Sequence, residues 1–193
     1  MKAKQSPYQR LKNSTSTHSL IKWNLRNNLK PVDANYLIHL HGVLYVKEYG
    51  YDKTFETYVA DGLTKFVNSF NLEKDKIWLA EINNQIIGSI AIVGCLRNEA
   101  QLRWFLVHPD YRGLGLGKEL MKKTLHFCKK RRYKIIFLWS ASELCAARHI
   151  YMQAGFRKTM EKTHKIWGKR VTEERYDLHL SDNLEDATIP GSN

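Results

Sequence analysis

The sequence predicts one mixed α/β domain, with a mostly antiparallel central sheet of about seven strands and helices on both faces. Two observations predict it. Apolar residues recur every three or four positions up to Phe70, and from Lys76 the period falls to that of strands. Further on, the runs Leu102–Val107 and Ile135–Trp139 flank a glycine-rich loop and an amphipathic helix. Two strands joined through a helix lie parallel, with a right-handed crossover.

The elements follow in order. Residues 1–17 are polar and basic and read as a flexible tail, residues 18–181 as the folded domain, and residues 182–193 as a second tail. A first strand is expected over Ser19–Leu25. After Asn27 and Asn28, Pro31 opens a helix reaching about His41. Phe55, Tyr58, Val59, Gly62, Phe66, Val67 and Phe70 give the apolar stripe of a helix over Asp52–Phe70. Lys76–Ile82 and Ile86–Leu96 are β-rich runs joined by Asn83-Asn84-Gln85, a hairpin signal. The strand Leu102–Val107 comes next. Leu116, Leu120, Met121, Thr124, Phe127 and Cys128 form the apolar stripe of a helix over Gly115–Arg131, whose lysines read as its solvated side. Ile135–Trp139 is continuously apolar, as for a strand covered on both faces. A short helix over Ser142–Ala154 stops at Gly155. Phe156–Lys162 and Thr172–Leu180 complete the strands.

Composition narrows the function. Hydrophobic residues make up 43% and charged residues 26%, which fits a globular chain with a core rather than a disordered one. No run is apolar and long enough for a membrane helix, and no secretory leader is recognisable, so no membrane partner is expected. Cys95, Cys128 and Cys145 have neither metal nor Cys-x-x-Cys spacing, so reduced thiols, a cytoplasmic setting and no metal are expected. The net charge of +12 suggests nucleic acid until it is located. Lys2, Lys4, Arg10, Lys12, Lys22, Arg26 and Lys30 fall in residues 1–30 with no acid among them. More than half of the excess therefore belongs to an end segment. No helix-turn-helix or zinc signature accompanies it, and nucleic acid is not an expected partner.

The stretch Val107-His-Pro-Asp-Tyr-Arg112-Gly113-Leu114-Gly115-Leu116-Gly117-Lys118 carries the chemistry. Its glycines permit close approach of a ligand, and the unpartnered N–H groups and dipole of the following helix suit a pyrophosphate. A Walker A loop needs glycine at position 112 and Ser or Thr at 119, where the chain has Arg112 and Glu119. A dinucleotide fingerprint needs glycine at 118, where Lys118 stands.

Arg112-x-x-Gly115-x-Gly117 resembles the acyl-CoA signature of the GNAT superfamily of N-acetyltransferases. The order of elements over about residues 19–180 is similar, as is the run Ala147-Arg-His-Ile-Tyr151-Met-Gln-Ala-Gly155-Phe156. In finer detail His39-Leu-His41-Gly42, Tyr45, Glu48-Tyr49-Gly50-Tyr51, Phe55-Glu56 and Leu102-Arg103 resemble the acetyltransferase half of proteins that fuse a MarR-type regulator to a GNAT domain. No regulator fits into the first 30 residues.

The resemblance implies acetyl transfer from acetyl-CoA to a primary amine of a small molecule or peptide, through a ternary complex. It implies that the strands at 102–107 and 135–139 splay, with pantetheine on the backbone of Phe105, Leu106 and Val107 and the phosphates on Arg112 to Lys118. Tyr151 matches the position that protonates the leaving thiolate. A phenol, pKa roughly 10, suits that role. Two positions depart from the pattern. Leu144 stands where many relatives have a cofactor-binding Asn, and Arg103 where many have a catalytic glutamate. Strand alternation puts Gln101, Arg103 and Phe105 on one side and Leu102, Trp104 and Leu106 on the other. Arg103 cannot act as a base but can grip a carboxylate, so an amino acid or short peptide is the expected acceptor. Glu48 and Glu56 flank the aromatic segment and are expected near the acceptor, with His39 and His41. Glu81 and Glu99 are further candidate bases. A homodimer is compatible with all of this. The rivals are an acyl-CoA sensor without turnover and a basic nucleic-acid module.

Overall fold

The structure is a computed structural model that describes residues 22–180. The expected tails, and the start of the strand placed at Ser19–Leu25, lie outside the described residues. Seven strands form one sheet: β1 (Asn24–Arg26), β2 (Lys76–Ile82), β3 (Gln85–Gly94), β4 (Glu99–Val107), β5 (Ile135–Ala141), β6 (Arg157–Ile166) and β7 (Lys169–His179). Their order across the sheet is β1-β2-β3-β4-β5-β7-β6, and only β4 and β5 are parallel. Among the described residues four α-helices accompany them: α1 (Asp33–Tyr49), α2 (Lys53–Asn68), α3 (Leu116–Lys130) and α4 (Cys145–Gln153). No helix among the described residues is long and apolar enough to cross a membrane.

Each face of the sheet has its own core. Leu37 of α1 and Phe55, Val59, Leu63 and Phe66 of α2 cover Ile77, Leu79, Ala91 and Trp104. Leu116, Leu120, Met121 and Cys128 of α3 and Tyr151 of α4 cover Trp78, Ile92, Leu102, Ile136 and Leu138. The alternation of β2 assigns its residues to the two cores, since Ile77 and Leu79 face one and Trp78 and Ala80 the other.

Turn chemistry sets several boundaries. Asn83 and Asn84 both take positive φ, 50° and 62°, and close a two-residue hairpin in which Ile82 pairs with Gln85. Arg97 and Asn98 do the same between β3 and β4, so β4 starts at Glu99 rather than Leu102. The Asp52 carboxylate accepts from Thr54 N–H at 2.9 Å and caps α2 where its start was expected.

Two expectations need correction. Helix α1 continues past His41 to Tyr49, because Gly42 is a packing position and not a stop. A Cβ there would lie 2.9 Å from the Glu56 side chain of α2. The last two strands form one long hairpin turning at Trp167 and Gly168, with no loop across residues 163–171. Its turn docks on α2, where Trp167 O accepts from Asp52 N–H at 3.0 Å.

Candidate active site

The parallel strands part company after one short stretch. Glu99, Ala100 and Gln101 pair with Ile135, Ile136 and Phe137, and beyond them β4 and β5 diverge. A bulge in β4 accompanies the divergence. Ser89 pairs with Leu106 and Ala91 with Arg103, so Trp104 and Phe105 both stand opposite Ile90. Trp104 takes φ +47°.

The bulge overturns the expected strict alternation. Leu102 faces the α3 core, whereas Arg103 and Trp104 both face α2, within 2.8 and 3.3 Å of where a Cβ on Gly62 would sit. Phe105 turns back toward α3 and α4, and Leu106 faces Leu40 and Leu44 of α1. Arg103 and Phe105, expected side by side, are therefore on opposite faces.

Two cavities open onto the gap and share Tyr45, Phe105 and Leu144. The first, about 180 Å³, includes Val107, Arg112, Gly113 and Gly117 in its wall. The second, about 100 Å³, is bounded by His41, Tyr51, Arg103, Ser140, Tyr151 and Trp167, among others. Leu144 is the residue before α4 and gives both cavities an apolar wall.

The glycine loop runs from a single 3₁₀ turn at Pro109–Tyr111 to the first turn of α3. Gly113 (φ +78°) and Gly115 (φ +91°) supply backbone conformations that a side chain resists, and open space lies beside both. Gly117 has a different reason. A Cβ there would meet Ile150 of α4 at 2.8 Å and Phe105 at 3.4 Å, so this glycine lets α3 approach α4. The first bond of α3 runs from Glu119 N–H to Gly115 O, which leaves the N–H groups of Leu116, Gly117 and Lys118 without helical partners. Among these residues the Leu116 side chain belongs to the core, while Leu114 and Lys118 are exposed.

Arg112 anchors this loop. Its Nη1 and Nη2 donate to Glu48 of α1 at 2.8 and 3.0 Å, and its Nε donates to Val107 O at 3.0 Å. Glu48, expected beside the acceptor, is thus engaged at the loop. Glu56 lies over Gly42 between α1 and α2 and borders neither cavity. Glu81 is bonded to Arg26 Nε at 2.8 Å, and Glu99 lies where β4 and β5 are still paired. His39 is exposed. Arg103 pairs with none of these acids. Its guanidinium stacks on Trp104, 4.6 Å from the ring centroid, and reaches Tyr58 OH at 3.5 Å.

Tyr151 is 5% exposed and packs by its ring against Phe105, Tyr176 and Phe156 at 5.8, 6.0 and 6.1 Å. Burial raises the pKa of its phenol well above 10, with the nearby Ser140 hydroxyl acting in the opposite direction. The group stays protonated at neutral pH and is a proton donor. Tyr45 stands between the two cavities, and its phenol is also raised, first by burial and then by the neighbouring Tyr151. His41 is buried at 3% exposure, its Nδ1 is 2.8 Å from Leu37 O, and desolvation lowers its pKa to about 4.

The sequence alone gives Tyr45, Tyr51, Ser140 and Trp167 no place in the site. Tyr45 and Tyr51 lie within the aromatic segment of the resemblance, which is a signal. Ser140 and Trp167 carry none, since one lies near the end of a strand and the other sits in a turn.

Comparisons with known proteins agree with this geometry. The sequence model described as the acetyltransferase (GNAT) family matches residues 43–156. An uncharacterised N-acetyltransferase of Methanocaldococcus jannaschii is 29% identical over 136 residues, which are 66% of this chain and 59% of that protein. Human N-acetyltransferase 8B is 27% identical over 107 residues, 53% of this chain and 45% of that protein. The chain thus spans about half the length of these relatives. Among solved structures, a GNAT acetyltransferase of Staphylococcus aureus covers 83% of this chain with all of its own, at 22% identity and a TM-score of 0.67. The ribosomal-protein-S18-alanine N-acetyltransferase of Escherichia coli covers 87% with all of its own, at 17% identity and a TM-score of 0.62. With a splayed parallel strand pair, a glycine loop opening α3 and a family model matching more than half of its length, the chain belongs to the GNAT acetyltransferase family.

Proposed function

We propose that the chain transfers an acetyl group from acetyl-CoA to a primary amine within a ternary complex. The observation that carries this reading is the pair of cavities meeting at the β4–β5 gap, one bordered by the glycine loop and the other by the Tyr151 phenol. In this reading the free N–H groups of Leu116, Gly117 and Lys118, with the turn from Arg112 to Gly115, hold the pyrophosphate. Pantetheine lies in the gap along the backbone of Phe105 to Val107, where the edge of β4 that faces β5 has no strand to pair with.

An acceptor that arrives as an ammonium first gives one proton to solvent. Its neutral nitrogen then attacks the thioester carbonyl, the C–S bond breaks, and Tyr151 donates its proton to the departing thiolate. The second proton shed by the nitrogen as the amide forms passes through water to restore the phenol. A buried phenol is a weak acid, but the apolar walls that raise it also raise the basicity of a thiolate formed beside it. The acceptor enters from the cavity that Arg103 borders. Arg103 has no acidic partner among the described residues, and beyond its one bond to Tyr58 OH its guanidinium has donors for a carboxylate, which favours amino acids or short peptides over polyamines. Kinship with the acetyltransferase half of MarR–GNAT fusions belongs to the same reading.

The decisive experiment follows thiol release from acetyl-CoA across a library of amines, with hydrolysis in the absence of acceptor subtracted. Acceptor-dependent release supports the transferase. Tight acetyl-CoA binding without release for any amine favours an acyl-CoA sensor.

A further inference from the structure

Three buried side-chain polar atoms among the described residues have no hydrogen-bond partner: His41 Nε2, Tyr51 OH and Ser140 Oγ. All three residues border the cavity on the acceptor side of the β4–β5 gap. They come from α1, from the segment before α2 and from β5, so no single local distortion accounts for them. A buried polar atom left unpaired is costly, and a folded chain keeps one where something else completes it. Ser140 has the Tyr151 phenol beside it, and Tyr51 has Glu143 nearby. His41 has no such neighbour.

The state of the His41 ring follows from its other nitrogen. Nδ1 lies 2.8 Å from Leu37 O. A carbonyl oxygen only accepts, so Nδ1 carries the hydrogen and Nε2 presents a bare lone pair. The ring is stacked 6.0 Å from Tyr45, one of the three residues common to both cavities. The lone pair therefore belongs to the same wall as the ring that stands between acyl donor and acceptor.

We propose that His41 Nε2 accepts a hydrogen bond from the nitrogen of the bound amine acceptor and so sets the direction in which that nitrogen meets the acyl group. The proposal rests on the reading of this cavity as the acceptor site. A bare lone pair selects for an N–H donor. Burial keeps the imidazole neutral, so it does not repel an acceptor that arrives as an ammonium.

The test compares the wild type with His41→Leu and His41→Gln, using the best amine of the library. Acceptor KM and kcat, acetyl-CoA Kd by calorimetry and Tm are all read. His41→Leu is expected to raise acceptor KM about tenfold or more, equivalent to about 1.4 kcal/mol. Its acetyl-CoA Kd should be unchanged and its Tm equal or higher, because an unpartnered buried atom has been removed. Glutamine offers an amide oxygen at similar reach and should recover most of the acceptor affinity. Wild-type acceptor kinetics in His41→Leu overturn the proposal. So does a fall in Tm with weaker acetyl-CoA binding, which makes His41 a packing residue, or a glutamine variant as impaired as the leucine one. A wild type that neither binds nor turns over acetyl-CoA overturns the reading of the whole site and this proposal with it.

Discussion

The Arg112 guanidinium donates through both Nη atoms to the Glu48 carboxylate, at 2.8 and 3.0 Å, and joins the glycine loop to α1 across 64 residues of sequence. The same side chain reaches back to Val107 O, so one residue ties the end of β4, the loop and α1 together. Both partners are partly exposed, with side chains 42% and 20% accessible, so the contribution is modest, about 0.5–1 kcal/mol. Glu48→Gln should raise the acetyl-CoA Kd about two- to fivefold. Arg112→Ala should raise it further, because the bond to Val107 O is lost as well. Calorimetric titration checks both, and an unchanged Kd in Arg112→Ala would remove this residue from the binding loop.

Gly115→Ala and Gly117→Ala should fail in different ways. Gly115 sits at φ +91° beside open space, so alanine strains the entry to α3 by about 1–2 kcal/mol and weakens acetyl-CoA binding in a folded protein. Gly117→Ala instead pushes against Ile150 at 2.8 Å, so it should lower Tm as well as affinity. Thermal melts beside the titrations separate the two. Equal melting losses would mean that Gly115 also serves packing.

Tyr151→Phe removes one oxygen from a ring held by Phe105, Phe156 and Tyr176. Acetyl-CoA affinity should stay nearly intact while kcat falls roughly 10²- to 10⁴-fold. Wild-type kcat in this variant would leave Tyr151 with packing alone.

Arg103→Ala and Arg103→Lys should both raise KM for acceptors bearing a carboxylate near the amine, with alanine costing more. Lysine keeps the charge but loses the two-pronged geometry and the flat stacking on Trp104. Amines without a carboxylate should be little affected. A library in which spermine-like polyamines are the best acceptors would sink this idea without touching the fold.

Stability should fall as pH drops from about 6.5 toward 4. In this window an unfolded His41 binds a proton, while the buried native ring, its pKa lowered to about 4 by desolvation, does not. A depressed histidine thus stabilises the fold above its unfolded pKa and loses that contribution on acidification, by about 3 kcal/mol in all. Denaturant titrations of wild type and His41→Leu across this range check it. Parallel curves for the two proteins would show that His41 does not carry the dependence.

Much of this protein is legible because its signals are local. The Asn83-Asn84 turn, the Asp52 cap and the apolar stripe of α3 each depend on neighbours within a few residues, and each marks its element in the sequence. The loop from Arg112 to Lys118 is readable for the same reason, since glycine spacing and a helix start are properties of contiguous chain. The period change at Lys76 and the strand–helix–strand unit likewise determine the mixed sheet, because burial of an amphipathic face leaves few arrangements.

Tertiary structure alone decided how the acceptor side is built. The bulge at Trp104 comes from a mismatch between β3 and β4 and sends Arg103 to a different face from Phe105, which no alternation within β4 reveals. Glu48 meets Arg112, and Glu56 fills the space left by Gly42, because two helices pack at a particular height. Trp167 lies far from the aromatic segment in sequence, in a hairpin turn at φ +50°, yet it packs 4.9 Å from Phe55 and 5.0 Å from Tyr51. A bulky residue in the left-handed region runs against local preference. Docking on α2, through the bond from Asp52 N–H and these ring contacts, offsets that cost, and such contacts exist only once the sheet has brought the distant segments together.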